Sequence, residues 1–397
     1  MSMVADESKP VTRRRFITGS GVASAALLAG CTSGNDDSDE TQTSTGGTGD
    51  GDGGTGSDGT TTQSGPYSVS MEPVGEVEFE SVPETWLTYE AGYADMGVAL
   101  GMGDSLQAIG LPSRFHTQYY DELSGVSMDK SSLTTLYSEG VDREIFFQLD
   151  SDVHLIDPNW LVNNSAFGLE QQDVDQIGSQ VAPFFGNTIF RRTDSWHDYQ
   201  YYTMYEAFGK IAKVFKQEER YQQFKSFHDD YISGLQSELP AESDRPSAML
   251  LWQAENEPME FSPYRLSDKG TNKKQWHDLG VKDALDGTGI EGLSTTERGT
   301  VDYETLLEVD PEVILLRGHE TKSKEEFQNT VVSFMKNHNV ASDLQAVKND
   351  RVFRGGPIYQ GPIINLFTTE SAATSLYPDT FSGKLFDREK VADIITG

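Results

Sequence analysis

The sequence predicts an α/β protein of two domains with parallel β-sheets, and one long helix that crosses both. Short apolar runs alternate with helical patterns along residues 80–397, and this alternation is typical of parallel sheets. Residues 67–397 are too many for one core, which favours two domains. Apolar residues spaced by three and four over 218–239 predict the long helix, which would extend about 33 Å.

The predicted elements follow one another in a regular order. In the first half the expected strands are 86–89, 106–111 and 152–157, with a helix over 93–106. Residues 198–239 form two amphipathic helical patterns with a break near Gln217, and Pro240 ends the second. In the second half we predict strands within 248–252, 310–316 and 351–353, and helices over 276–285, 303–307, 325–337 and 362–376. Ligand-binding loops are expected where the parallel strands end.

The first thirty residues predict an export signal and are kept out of the fold. Residues 12–17 (TRRRFI) resemble a twin-arginine motif, and the apolar stretch 17–29 is shorter than the roughly 20 residues that span a membrane. Residues 28–31 (LAGC) resemble a lipobox, in which the Cys31 thiol accepts a lipid. A stable anchor takes two chains, so we expect a diacylglycerol-type modification that holds the exported protein at the extracellular face of the cytoplasmic membrane.

Residues 31–66 predict a disordered acidic linker above that anchor. Residues 32–65 are almost wholly Gly, Ser, Thr, Asp and Glu, with no aromatic or basic residue, and cannot bury enough apolar surface to fold. The expected organisation is listed in chain order: signal peptide 1–30, linker 31–66, N-terminal α/β lobe 67–197, helical segment with the interlobe helix 198–240, and C-terminal α/β lobe 241–397.

The composition indicates a halophilic protein with no nucleic-acid partner. The chain has 63 acidic and 31 basic residues, a net charge of −32, and the acidity is spread along it. At molar salt the Debye length falls to about 3 Å and the resulting repulsion is screened. This composition resembles proteins of extreme halophiles, especially haloarchaea. Phosphate binding needs a basic surface, and a single cysteine excludes an internal disulfide, a cysteine zinc site and an iron–sulfur cluster, so no cofactor is expected.

Three segments resemble the substrate-binding lipoproteins of ABC importers, in the family that serves iron-siderophore, haem and cobalamin uptake. They are 94–110 (ADMGVALGMGDSLQAIG), 301–316 (VDYETLLEVDPEVILL) and 344–353 (LQAVKNDRVF), in the family's order around a long helix. The resemblance implies two Rossmann-like lobes joined by that single helix, the class III periplasmic-binding-protein fold. It also implies a monomer without catalytic activity, and ABC permease subunits as partners that meet acidic residues such as Glu90 and Glu255.

The leading ligand under this resemblance is an Fe(III)-siderophore or a similar metal complex, with cobalamin or haem as alternatives. The turn after the first strand departs from the family's serine-rich pattern, so the ligand's identity does not carry over. Aromatic rings bind planar or apolar ligands, and arginines bind carboxylate or catecholate groups. Such residues just past the predicted strands are the candidate ligand-binding set: Tyr89, Tyr93, Arg114, His116, Trp160, Arg191, Trp252, Arg317, His319 and Tyr359.

Two further hypotheses belong to other classes. Capture of a free metal ion such as Zn²⁺ or Mn²⁺ would use histidines, of which His116 and His319 are expected at cleft loops. Residues 256–258 (NEP) resemble the acid/base segment of barrel glycosidases, with Glu257 as the carboxylate. That chemistry needs a second carboxylate roughly 5–10 Å away and a barrel to hold it, and the long helix argues against a barrel.

Overall fold

The computed structural model describes residues 65–289 and 299–397. The predicted signal, Cys31 and the predicted linker as far as residue 64 lie outside the described residues. Within the described ranges, no helix combines the length and the apolar character needed to cross a membrane.

The strands and helices of these ranges alternate as expected over most of the chain. The strands are β1 (Tyr67–Met71), β2 (Gly75–Phe79), β3 (Trp86–Thr88), β4 (Leu106–Ile109), β5 (Thr134–Thr135), β6 (Val153–Leu155), β7 (Ser247–Trp252), β8 (Ser262–Tyr264), β9 (Lys282–Asp283), β10 (Val313–Arg317) and β11 (Val352–Arg354). The α-helices are α1 (Ala91–Ala99), α2 (Arg143–Leu149), α3 (Pro158–Asn163), α4 (Gln171–Gln180), α5 (Met204–Val214), α6 (Glu218–Glu238), α7 (Lys274–Asp278), α8 (Tyr303–Val309), α9 (Lys324–Phe327), α10 (Ser333–Asn337), α11 (Gln345–Lys348), α12 (Pro362–Leu376) and α13 (Arg388–Thr396).

Each lobe contains one sheet. The first-lobe sheet has the order β5-β4-β3-β6, and its neighbouring strands are all parallel. The second-lobe sheet has the order β11-β10-β7-β8, with β9 also paired to β7. Only β8 within that sheet is antiparallel to its neighbour, and β1 pairs with β2 in a separate antiparallel hairpin. The predicted two-lobed α/β fold with parallel sheets is therefore confirmed.

The central strands of the second sheet are apolar without a break because both of their faces are covered. In β7, Ala248 and Leu250 belong to the large core shared with the first lobe, whereas Met249 and Leu251 belong to a separate core on the opposite face. The same alternation recurs along β10. Side chains of a strand point alternately to the two faces, and a parallel sheet packed on both faces needs apolar residues at each position.

Helix α6 joins the two lobes, as predicted. Its 21 residues give a length of about 31 Å. Near its start, the Arg220 guanidinium donates to the Leu100 carbonyl of the first lobe. Near its end, Gln236 Nε2 donates to the carbonyl of Asp278 in the second lobe at 3.1 Å. Buried residues spaced by three and four fix its inner face: Phe224, Phe227, His228, Tyr231, Ile232 and Leu235.

The C-terminal helices return to the first lobe. The carboxylate of Asp95, on α1, accepts hydrogen bonds from the backbone N–H groups of Ile363 and Ile364 at 2.9 and 3.1 Å, and so caps α12. Gly361 permits this approach, because a Cβ there would lie 2.5 Å from a backbone oxygen of α1. Helix α13 packs on α1 and α6 and so contacts the first lobe.

Several predicted boundaries are wrong for local reasons. The helix predicted over 93–106 ends at Ala99, since Gly101 adopts a φ of 74°. The helix predicted over 276–285 is the short α7 followed by β9, and Gly280 turns the chain between them with a φ of 64°. The helix predicted over 325–337 is interrupted by a π-helical segment, Gln328–Val332. The sequence prediction missed α13, β8 and the β1–β2 hairpin.

Candidate functional site

A cleft of about 400 Å³ opens between the two lobes at the carboxyl ends of the parallel strands. From the first lobe it is lined by side chains that follow β3, β4, β5 and β6, and from the second lobe by side chains on or after β7, β8 and β11. Six predicted residues line it: Tyr89, Arg114, Trp160, Arg191, Trp252 and Tyr359. Its volume lies in the range of about 300–1,000 Å³ typical of small-molecule sites.

The first-lobe wall of the cleft is aromatic. Tyr89 meets Trp160 edge-on, with ring centroids 4.9 Å apart, and Phe167 at 4.7 Å. Trp160 packs in turn on Phe190 at 5.5 Å, and Phe190 on Tyr359 at 5.0 Å. These contacts form one continuous group of rings, which extends from the first lobe to Tyr359 of the second lobe. Because each ring is held by its neighbours, the wall is preorganised for a planar or apolar surface.

Two arginines bring positive charge to this wall. Arg191 forms a two-pronged ion pair with Asp194, at 2.7 and 2.8 Å, so much of its charge is balanced. Arg114 is solvent-exposed and lies beside Tyr359. Burial raises the pKa of Tyr359 to about 12, and the positive charge of Arg114 acts against that rise. Arg114 is therefore the cleft cation with more charge available to an anionic ligand.

Two cleft-lining residues carry buried polar atoms that lack hydrogen-bond partners among the described residues. They are the indole N–H of Trp160 and the side-chain oxygen of Asn272. A buried donor or acceptor without a partner costs roughly 1–3 kcal/mol. Both atoms lie below the surface of the cleft, so the rings and the arginines are the groups that face a ligand.

A side chamber of about 300 Å³ adjoins the cleft and shares Arg114, Trp252 and Ile358 with it. The predicted residues His116 and Arg317 line this chamber. Burial, with a smaller effect of nearby Lys130, lowers the pKa of His116 to about 4, so its imidazole is neutral at pH 7. Arg317 is almost fully buried and donates to the Gly356 carbonyl at 3.1 Å.

Three predicted positions prove to be buried away from the cleft lining. Tyr93 lies on the inner face of α1, where its hydroxyl donates to the Asn187 carbonyl at 2.8 Å. His319 is fully buried, with its ring 5.4 Å from that of Phe327 in the second-lobe core. Glu90 is only 4% exposed, and burial raises its pKa well above the usual range, so it cannot be a surface contact for a permease. Glu255, by contrast, is exposed.

Several lining residues escaped sequence reasoning. Tyr137 follows β5, a strand of two residues that gives no readable apolar run. Phe167 lies between α3 and α4, and Tyr264 lies on the antiparallel strand β8. Phe190 and Asn272 meet where the backbones of the two lobes touch. None of these positions follows a predictable strand end, and the only signal was their residue type.

The described residues can be compared with the two alternative hypotheses, capture of a free metal ion and glycoside hydrolysis. Among residues 65–289 and 299–397, no group of three or more His, Cys, Asp or Glu side chains is arranged to hold a metal ion. Glu257 is exposed on the loop after β7, and the sheets of the described residues have two, five and four strands. The described residues therefore do not form the barrel that the glycosidase hypothesis requires.

Two lobes of parallel sheet, one connecting helix and a ligand-sized cleft between the lobes define a solute-binding protein. A family model described as "Periplasmic binding protein" matches residues 87–359. The chain belongs to this family, and the match extends from β3 to the cleft residue Tyr359.

Solved structures show the same fold at low sequence identity. A periplasmic binding protein from Veillonella parvula matches with a TM-score of 0.55 and 14% identity, over 79% of this chain and 98% of that chain. The iron uptake ABC transporter substrate-binding protein PiuA from Streptococcus pneumoniae matches with a TM-score of 0.54 and 16% identity, over 78% and 98%. A heme binding protein, HmuT, matches with a TM-score of 0.53 and 14% identity, over 79% and 90%. A comparison with curated protein sequences finds no significant match.

Proposed function

We propose that the protein is the cell-surface receptor of an ABC importer, and that it binds an Fe(III)-siderophore-type complex in the cleft and delivers it to a permease. The observation that carries this proposal is the aromatic wall with Arg114 at the strand ends. Family membership and the iron-uptake and heme-binding structural neighbours support the same class of ligand. The receptor acts as a monomer and releases its ligand chemically unchanged.

The chemistry of such a complex suits this cleft. A siderophore surrounds Fe(III) with its own oxygen ligands, so the receptor contributes shape, ring contacts and charge. The rings of Tyr89 and Trp160 fit flat or apolar faces of the chelator, and the Arg114 guanidinium pairs with carboxylate or catecholate oxygens.

The position of the receptor follows from residues outside the described ranges. We propose that the twin-arginine signal exports the chain and that Cys31 carries the lipid anchor. The acidic linker then holds the folded part near the permease. The acidity of the chain adapts it to molar salt, as in haloarchaeal proteins.

The test is a fluorescence titration of the purified protein in molar KCl with ferric tris-catecholate, ferric trihydroxamate, cobalamin, haem and Zn²⁺. Trp252 lines the cleft and is 39% exposed, so bound ferric complex should quench its emission. Trp252→Phe should reduce the quenching and leave the part that comes from Trp160, the other cleft tryptophan, while Trp196→Phe, at a site outside the cleft lining, should leave the quenching unchanged. If only cobalamin or haem binds saturably, that compound becomes the proposed ligand in place of the ferric siderophore. Tight binding of Zn²⁺ alone would refute the proposal.

A further inference from the structure

A second cavity, of about 570 Å³, lies on the side of the interlobe helix and is called here the rear cavity. Residues from α5, α6 and α7 line it together with the segment 269–271. None of its lining residues lines the cleft. It therefore goes beyond the receptor function proposed above, and its occupant is a separate question.

A seam of backbone hydrogen bonds separates the rear cavity from the cleft. Thr271 N–H donates to the Ile189 carbonyl at 3.0 Å, and Asn272 N–H to the Phe190 carbonyl at 3.2 Å. In each of the two backbone segments that form this seam, adjacent residues face different cavities. Asn272 lines the cleft and Thr271 the rear cavity, just as Arg191 lines the cleft and Arg192 the rear cavity.

The rear cavity carries positive charge in a protein whose net charge is −32. Arg192 and Lys269 line it and take part in none of the ion pairs found within the described residues. Two carboxylates also line it, but each has its own cation. Asp278 pairs with Lys274 at 2.6 Å, and Asp229 pairs with Lys225 on the next turn of α6. The charge left for an occupant is therefore positive.

The remaining walls are aromatic rings with unsatisfied polar atoms. The Arg192 guanidinium lies 4.9 Å above the Tyr201 ring, and the rings of Tyr205 and His228 are 4.4 Å apart. The Tyr205 hydroxyl has no hydrogen-bond partner in the described part of the chain. His228 is 3% exposed, and its Nδ1 has no hydrogen-bond partner there either, although Asp229 Oδ1 lies 3.7 Å away.

The surroundings of His228 limit what it can offer to an occupant. Its Nε2 lies 3.4 Å from the Asn365 side-chain oxygen and its Nδ1 lies 3.7 Å from Asp229 Oδ1, so both ring nitrogens face oxygen atoms of the protein. Burial lowers the pKa of His228 to about 3, which keeps the ring neutral. The neutral ring therefore contributes an aromatic wall, and a carboxylate on the occupant meets Arg192 and Lys269.

We propose that the rear cavity is a binding site for a small aromatic carboxylate. The carboxylate pairs with Arg192 and Lys269, and the ring stacks among Tyr201, Tyr205 and His228. A cavity of this size exceeds what a single inorganic anion fills, and its rings favour a planar organic molecule.

The experiment is calorimetric titration of the full mature protein with 4-hydroxybenzoate in molar KCl. Saturable one-to-one binding is expected, and Arg192→Gln or Lys269→Gln should weaken it about tenfold or more, because each removes a charge-assisted contact. Tyr205→Phe keeps the ring and loses only a buried hydroxyl, so it should change binding little. Arg191→Gln is the matched control, since this neighbouring arginine faces the cleft. Circular dichroism establishes that each variant is folded.

Three results would overturn the proposal. Absence of saturable binding would do so, as would loss of binding in Arg191→Gln but not in Arg192→Gln, which would assign the probe to the cleft. Equal binding of sulfate or of the neutral 4-hydroxybenzamide would show that the cavity does not select a planar anion. Because the probe carries no iron, and because Arg192, Lys269 and Tyr205 lie outside the cleft, this outcome is independent of the ferric-complex titration.

Discussion

Replacing Asp95 by Asn should remove a pH dependence from the stability of the fold. Asp95 is fully buried, and its carboxylate accepts a hydrogen bond from the Tyr120 hydroxyl at 2.6 Å as well as the two N–H groups that begin α12. Burial raises the pKa of Asp95 to about 7, against the lowering effect of these hydrogen bonds. The amide has nearly the shape of the protonated acid and does not titrate.

The sign and size follow from the difference between the folded and unfolded pKa. An unfolded Asp has a pKa of about 3.9, so the folded state holds the proton more tightly and stability decreases as the pH rises from about 4 to about 7. The difference is about 3 units, each worth about 1.4 kcal/mol, so the loss is on the order of 4 kcal/mol. The Asn variant should match the wild type near pH 4 and exceed its free energy of unfolding by this order above pH 7.

The assay is urea denaturation followed by tryptophan fluorescence, in molar KCl, at several values between about pH 4 and pH 8. Contributions of all other carboxylates cancel in the difference between wild type and variant. Asp379→Asn, at an exposed position, is the control and should give a curve parallel to the wild type. If the free energy of unfolding of Asp95→Asn also runs parallel to that of the wild type across this pH range, the reasoning is refuted, because Asp95 would then stay ionised where it caps α12.

Three further predictions concern packing, ligand charge and anchoring. Gly361→Ala should reduce the free energy of unfolding by about 1–3 kcal/mol in urea denaturation, because the new Cβ has no room, whereas Gly234→Ala, with open space around it, should be neutral or stabilising. Arg114→Gln should weaken binding of an anionic ferric complex about tenfold or more in the fluorescence titration. Arg191→Gln should weaken binding of the same complex less than Arg114→Gln does, because the charge of Arg191 is already balanced by Asp194. A larger loss of affinity in Arg191→Gln would contradict the charge argument. Cys31→Ser should leave binding in vitro intact but move the protein from the membrane fraction to the medium, and retention in the membrane would exclude the lipid anchor.

The sequence predicted the strands and the interlobe helix well because their apolar patterns are long and regular. The runs at 86–89 and 248–252 correspond to β3 and β7, and the break near Gln217 separates α5 from α6. The helix α13 was missed although Asp387 caps it and its apolar residues have helical spacing, so its signal was present. The ends of α1 and α7 were misplaced because single glycines with positive φ terminate them.

The cleft was harder to predict, because its members lie on loops with no period. Trp160 and Tyr359 follow strand ends and reach the cleft, whereas Tyr93 follows β3 equally closely but lies on the buried face of α1. A shift of one helical turn decides whether such a side chain lines the cleft or packs in the core, and element boundaries predicted from sequence are accurate only to a few residues. The rear cavity could not have been predicted, because it depends on contacts between segments far apart in the chain.

The return of the last helix to the first lobe has a consequence for biosynthesis. Residues 388–396 pack on α1 and α6, and Asp95 caps a helix that begins at Pro362. Although domains generally fold in order as they leave the ribosome, these contacts of the first lobe form only after residues 362–396 have been translated. Folding of the first lobe in its native arrangement is thus coupled to synthesis of the second.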